Sequence, residues 1–173
     1  MTFLSGQKLS AADLNTAIDF HNLSRFDLGA DHDVTSATGV TLQNTALVCT
    51  IVDLSEVRLS ARFTSNAGGI RWAWSVTGTV TCTSRDIESP GSSTSATDGS
   101  SEILDMRFRQ NATITEEQRV AHISTATTYL FTERLVVEGA GTMILRFAQD
   151  TSNAAITRLH ASSFATVRRL INA

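Results

Sequence analysis

Two neighbouring segments of the chain alternate strictly between apolar and polar residues. The side chains of a β-strand point alternately to the two faces of a sheet, so this period predicts two half-buried strands at residues 57–63 and 70–76. The connection at residues 65–69 contains two glycines and predicts a hairpin between these strands. The polar face is then expected to carry Arg58, Arg62 and Arg71, and the apolar face Val57, Leu59, Ala61, Phe63, Ile70, Trp72, Trp74 and Val76.

Six further segments resemble strands, which gives about eight in total and is typical of an antiparallel β-sandwich or jelly roll. The low-complexity segment 89–101 cannot pack a core and predicts a mobile surface loop. Residues 114–125 fit either a short helix that begins near Thr115 or a crossing loop. The six segments are 45–52, 78–83, 103–109, 127–138, 142–149 and 163–171.

Two of these segments have apolar residues on both faces of the predicted strand. A strand that is covered on both sides is expected where subunits pack together. In segment 45–52 the two faces are Ala46, Val48 and Val52 against Leu47, Cys49 and Ile51. In segment 163–171 they are Phe164 and Leu170 against Ala165, Val167 and Ile171.

The first residues follow a helical pattern instead. Ser10 and Asp13 form a helix start signal, and apolar residues follow at spacings of three and four, which predicts a helix over about residues 11–22. A helix of about three turns is marginal alone in water, so its apolar stripe should dock on a partner. Residues 24–40 are small and polar and predict a linker to a β domain at 41–173. The docking face consists of Phe3, Leu4, Leu9, Leu14, Ala17, Ile18 and His21.

The composition argues against nucleic-acid and membrane partners. The net charge is −3, and Lys8 is the only lysine, so no basic face is expected. No apolar run approaches the roughly 20 residues that span a bilayer. The N-terminus has no secretory pattern, which predicts synthesis in a cytoplasm. Cys49 and Cys82 match no zinc pattern, and we expect two buried thiols, with a single disulfide as the alternative.

The sequence carries no recognisable catalytic motif, so we expect no enzymatic activity and no cofactor. A G-x-S-x-G elbow and a phosphate-binding loop are both absent from the sequence. Asp31, His32 and Asp33 are the only metal-like cluster, but adjacent residues on an extended chain cannot easily converge on one ion, so a solvated linker is expected. Trp72 and Trp74 are expected in the core and not on an exposed sugar-binding platform.

Both ends of the chain resemble virion proteins of tailed phages. Residues 3–15 resemble their F-x-x-G-x-x-L-T-A-A-D-L-N opening, and residues 141–154 resemble their G-T-L-x-L-x-x-A-Q-x-T-S-N segment. Residues 57–76 resemble their paired strands. Residues 161–169 stand where the family closes with a-G-S-x-L-x-x-x-R, but Ser162 replaces the usual glycine.

These proteins are the head-fibre, decoration and minor tail proteins of phages, especially those of actinobacteria. The resemblance implies a trimeric jelly roll similar to the tumour necrosis factor fold, made in the bacterial cytoplasm and located in the virion. Residues 1–23 would attach it to the major capsid protein. A minor tail or baseplate protein whose β domain binds a host-surface glycan is the alternative. The candidate contacts between subunits are Phe164, Val167, Leu170 and Ile171.

Overall fold

A computed structural model of the protein describes residues 23–35, 40–65, 69–90, 106–109, 113–120 and 128–170. None of these residues is helical, and they form two antiparallel β-sheets around one core. The expected all-β antiparallel class is therefore confirmed for the described part of the chain. The helix predicted at 11–22, with its docking face, lies outside the described residues.

Twelve strands are present in the described ranges. Each of the eight predicted strands overlaps one of them, whereas β1, β2, β8 and β11 had not been predicted. The strands are β1 Leu23–Asp27, β2 His32–Val34, β3 Gln43–Ile51, β4 Ser55–Thr64, β5 Ile70–Val76, β6 Thr81–Pro90, β7 Met106–Arg109, β8 Gln118–Val120, β9 Thr128–Glu138, β10 Gly141–Ala148, β11 Thr157–Leu159 and β12 Phe164–Arg169.

The larger sheet has the strand order β1-β12-β4-β9-β6-β7, and β11 pairs with both β4 and β2 beside this path. The smaller sheet has the order β3-β10-β5-β8. Strand β4 shows the predicted alternation: Val57 and Phe63 are buried, whereas Arg58 and Arg62 are exposed. The inner faces of both sheets supply one apolar core, in which the ring of Trp72 stacks on that of Phe131 at 4.2 Å between centroids.

The hairpin predicted between β4 and β5 is wrong. Strand β4 lies in the larger sheet and β5 in the smaller one, so residues 65–69 connect the two sheets. Both strands turn an apolar face to the same core, and their alternation therefore reveals which face is buried but not which strand is the neighbour. For the same reason Arg71 does not share a face with Arg58 and Arg62, because it lies on the outer side of the other sheet.

The linker predicted at residues 24–40 is wrong in part. Strand β1 pairs with β12, and β2 pairs with β11, so both belong to the larger sheet. Short strands at a sheet edge need little apolar sequence, which explains why no period was visible. In the segment 114–125, residues 114–117 form a turn followed by β8 and not a helix. Most of the loop predicted at 89–101 lies outside the described residues, although β6 extends to Pro90.

Two sheet-to-sheet connections meet at one corner of the sandwich. Thr79 N–H donates to the carbonyl of Ala140 at 2.9 Å, and Thr77 N–H donates to that of Thr142 at 3.0 Å. Gly139 adopts a φ of 103°, and a Cβ atom there would lie 2.3 Å from the carbonyl oxygen of Thr79. Only glycine allows both this backbone conformation and this close approach.

Candidate functional site

A charged network lies inside the core, between the two sheets. The carboxylate of Glu133 on β9 accepts hydrogen bonds from the indole N–H groups of Trp72 and Trp74 on β5, the latter at 2.7 Å. It also accepts bonds from Arg85 on β6, with Nη2 at 2.8 Å from Oε1 and Nε at 3.3 Å from Oε2. One carboxylate therefore bonds to both sheets. The prediction that both tryptophans belong to the core is confirmed.

Arg85 also holds the segment that precedes β8. Its Nη1 group donates to three backbone carbonyls, those of Thr113 at 2.8 Å, Ile114 at 3.2 Å and Glu116 at 2.8 Å. The side chains of Arg85 and Glu133 are both fully buried. Solvent does not reach this ion pair, and its polar groups are bonded to other residues, so none is free for catalysis. Such a pair favours one packing of the surrounding strands, and we assign this network a structural role.

A second carboxylate, Glu56 on β4, lies on the outer face of the larger sheet beneath three arginines. Arg58 Nε donates to Oε1 at 2.9 Å, Arg134 Nε to Oε2 at 2.7 Å and Arg168 Nη2 to Oε1 at 3.2 Å. The side chain of Glu56 is only 4% exposed. Burial alone would raise the pKa of Glu56, but the hydrogen bonds and charges of Arg58 and Arg134 hold it below its ordinary value. The cluster places three partly exposed guanidinium groups side by side.

The Asp31-His32-Asp33 segment forms an ion-pair cluster. Arg158 on β11 bonds both oxygens of Asp33, Nε at 2.6 Å and Nη2 at 2.7 Å, and lies 3.1 Å from Asp31. The hydrogen bond from Arg158 lowers the pKa of Asp33. His32 packs edge-on against Phe147, and burial lowers its pKa. The two carboxylates therefore hold β2 beside β11 through Arg158. The solvated linker expected here is wrong, because His32 and Asp33 belong to strand β2.

No group of three or more His, Cys, Asp or Glu side chains in the described ranges is arranged to hold a metal ion. Both cysteines are free. Cys49 is buried as expected, and desolvation raises the pKa of its thiol to about 12. Cys82 is only partly buried, and desolvation also raises its pKa. A helix with the length and apolar character to cross a membrane does not occur in the described part.

The C-terminal phage-like motif corresponds to strand β10 and a loop organised by Gln149. This glutamine is fully buried, and its Nε2 donates to the carbonyl of Ala155 at 2.8 Å. Its Oε1 accepts from the Asn153 N–H at 3.1 Å, and the Asn153 side chain accepts from the Ala155 N–H at 2.8 Å. The glutamine and asparagine of the motif therefore have a folding role. Ser162, the departure from the family pattern, is exposed in the turn before β12.

The outer face of the smaller sheet is mixed: beside Arg71 and Arg146 it carries exposed apolar side chains at one end of β3. Val48 on edge strand β3 and Val52 just after it have 39% and 66% of their surface exposed, with Thr50 between them on the exposed side. Ile144 on β10 is the register partner of Val48 and is partly exposed. We call this set, Val48, Val52 and Ile144, the apolar patch. It confirms that β3 carries apolar residues on both faces, because Leu47, Cys49 and Ile51 are buried in the core.

The predicted subunit contacts are not brought together in one surface. Val167 belongs to the core of the single chain, so its side chain is not available to a partner. Phe164 is partly exposed on the opposite face of β12, where the guanidinium of Arg25 lies 3.9 Å from its ring centroid. Leu170 is partly exposed, and Ile171 lies outside the described residues.

The charged residues of the core were missed by sequence reasoning, although a signal was present. Glu133 stands between Phe131 and Leu135 on the apolar face of a period-two pattern, and Arg85 occupies the same kind of position two residues before Ile87. A charged residue at a buried position needs a partner of opposite charge. This rule could have paired one acid with one base, but not these two in particular.

Comparisons with known proteins do not identify a family. No protein-family model and no curated protein matches the chain. Among solved structures, a chain of the Glycosylation Associate Protein (Gap123) complex from Streptococcus agalactiae is matched with 10% sequence identity and a TM-score of 0.21. The match covers 94% of this chain and 30% of that one, so the chain spans less than a third of its length. A likeness this weak carries no argument about fold or function.

Proposed function

We propose that the chain is a structural protein of a phage virion, a trimeric decoration or head-fibre protein. The observation that carries the proposal is strand β3, which buries one apolar face in the core and also leaves Val48, and Val52 just after the strand, exposed. Exposed apolar residues that lie together favour contact with another protein surface. The resemblance of residues 3–15 and 141–154 to tailed-phage virion proteins supplies the kind of assembly.

The finer fold proposed for the β domain is a jelly roll. The chain passes several times from one antiparallel sheet to the other, and connections of this kind are compatible with a jelly roll. In the proposed trimer the smaller sheet of each subunit faces the three-fold axis, because its outer face carries the apolar patch. The arginine-rich outer face of the larger sheet then points away from the axis.

Residues 1–23 are proposed to dock on the major capsid protein at three-fold or quasi-three-fold positions, where the symmetry of trimer and shell agree. Strand β1 starts at Leu23 on the edge of the larger sheet, so the docking segment would leave the domain at that edge. A protein that binds only the assembled shell stabilises it by mass action. The proposed role therefore includes cementing of the shell.

Imaging of intact particles tests the location. Gold-labelled antibody against this chain should decorate the head in many copies. A few labels at the tail tip would instead support the minor tail or baseplate alternative, with its glycan-binding β domain, and particles without any label would contradict both. A chain without residues 1–22 is the control, since it should remain folded but no longer bind particles.

A further inference from the structure

A groove of about 430 Å³ opens on the outer face of the larger sheet, across strands β4, β9 and β6. Sites for small molecules have volumes of about 300–1,000 Å³, so the groove is large enough for a ligand. It is separate from the apolar patch, which lies on the other sheet. The side chains that define its chemistry are Arg58, Asp86, Glu88, Thr132 and Arg134.

One side of the groove carries two arginines that face each other. Arg58 and Arg134 are register partners on β4 and β9, and like charges in this position repel. The nearly buried Glu56 bonds the Nε group of each and fixes both side chains in place. The terminal Nη groups of Arg58 make no hydrogen bond to a described residue, and Arg134 Nη1 lies 3.7 Å from Asp86. Two positioned guanidinium groups therefore keep donors for an anion.

The other side of the groove carries acceptors. Asp86 is the register partner of Arg134, and Glu88 is that of Thr132. The Thr132 hydroxyl donates to the Glu88 carboxylate at 3.4 Å. The described residues that line the groove include no aromatic ring, so they offer no platform for stacking a nucleobase. A matching ligand has a carboxylate at one end and hydroxyl donors at the other.

We propose that this groove binds a carboxylate-bearing sugar. The sugar carboxylate bridges Arg58 and Arg134, because a guanidinium forms paired, charge-assisted bonds with a carboxylate. The sugar hydroxyls donate to the carboxylates of Asp86 and Glu88. Glu56 positions the two arginines and does not contact the ligand. The inference depends neither on subunit packing nor on a virion location.

Titration of the full chain with glucuronate, followed by NMR chemical shifts, tests the site. Saturable shifts are expected at Arg58, Thr132 and Arg134, with weaker binding at higher salt. Loss of one charge-assisted contact in Arg58→Gln should weaken binding by about tenfold. This variant should fold, since Glu56 keeps its bonds to Arg134 and Arg168. Its thermal melting curve checks that point.

Arg168→Gln is the matched control, because Arg168 also bonds Glu56 but does not line the groove. It should bind glucuronate like the unmodified chain. Glucose, which lacks the carboxylate, should bind the unmodified chain at least tenfold more weakly than glucuronate does. Equal binding of glucose, or of free glutamate, would overturn the assignment to an acidic sugar. Absence of saturable shifts, or equal losses in Arg58→Gln and Arg168→Gln, would overturn the site itself.

Discussion

Glu133 joins the two sheets through a single carboxylate. Its oxygens bond two tryptophans of β5 in the smaller sheet and an arginine of β6 in the larger one. Moving a charged pair out of water costs free energy, and this cost is offset only when the bonding groups around the pair are satisfied. Because the carboxylate has partners on both sheets, it specifies how the sheets are placed relative to one another.

Glu133→Gln should therefore destabilise the chain strongly. The amide presents N–H donors where the carboxylate accepts, and Arg85 is left buried without its negative partner. We expect a loss of about 3–5 kcal/mol in the free energy of unfolding, measured by chemical denaturation. Glu138→Gln on the same strand is the control, because Glu138 is exposed and its loss should change stability by less than about 0.5 kcal/mol. A similar small loss in both variants would contradict the structural role of Glu133.

At the level of elements, the alternation of apolar and polar residues predicted well which segments form strands, but it predicted poorly which strands pair with each other. The alternation in β4 and β5 placed Trp72 and Trp74 in the core correctly. It also led to a hairpin that does not exist, since strands of opposite sheets share one core and give the same pattern. Strands β1 and β2 were missed because they lie at a sheet edge and bury few residues: β1 has no fully buried residue, and β2 has only Val34.

The sequence predicted the candidate sites less well than it predicted the strands. Arg58 was placed correctly on a polar face, but Arg134 and Arg168, which bond the same Glu56 carboxylate, lie more than 70 residues from it in sequence. Only the register of β4 with β9 and β12 brings them to Glu56. Register depends on long-range pairing, which the period of one segment does not encode.

The corner where β5–β6 and β9–β10 meet should be sensitive to a single methyl group. In Gly139→Ala the new Cβ would meet the carbonyl of Thr79, in addition to the strain of a positive φ. We expect a loss well above the roughly 1–3 kcal/mol that such strain alone costs. Gly29→Ala separates the two effects, because Gly29 also has a positive φ but its new methyl group would meet nothing within 4 Å. Equal losses in the two variants, by thermal unfolding, would show that the close approach at the corner is unimportant.

The whole molecule has two unlike outer faces. Both sheets carry charged groups on their outer faces, but only the smaller sheet also exposes the apolar patch of Val48, Val52 and Ile144 among the described residues. Charged side chains keep a sheet face in water, and an exposed apolar group of this kind favours association. If the chain assembles with itself, this asymmetry decides which sheet faces inward.

Light scattering on the full chain should give three times the chain mass of 18.6 kDa. Val48→Asp places a charge in the centre of the apolar patch and should shift the population toward single chains by about tenfold or more, because burying an unpaired charge is costly. Thr128→Asp, at an exposed position of β9 in the larger sheet and away from the apolar patch, is the control and should assemble like the unmodified chain. A single-chain mass for the unmodified protein would count against the trimer.

The Gln149 loop has a consequence for how related chains can be recognised. The spacing of Gln149, Asn153 and Ala155 is set by three hydrogen bonds inside the chain, and these bonds occupy the polar groups that a partner would otherwise contact. Another chain that keeps the same spacing should therefore share this turn and the strand before it, whatever it binds.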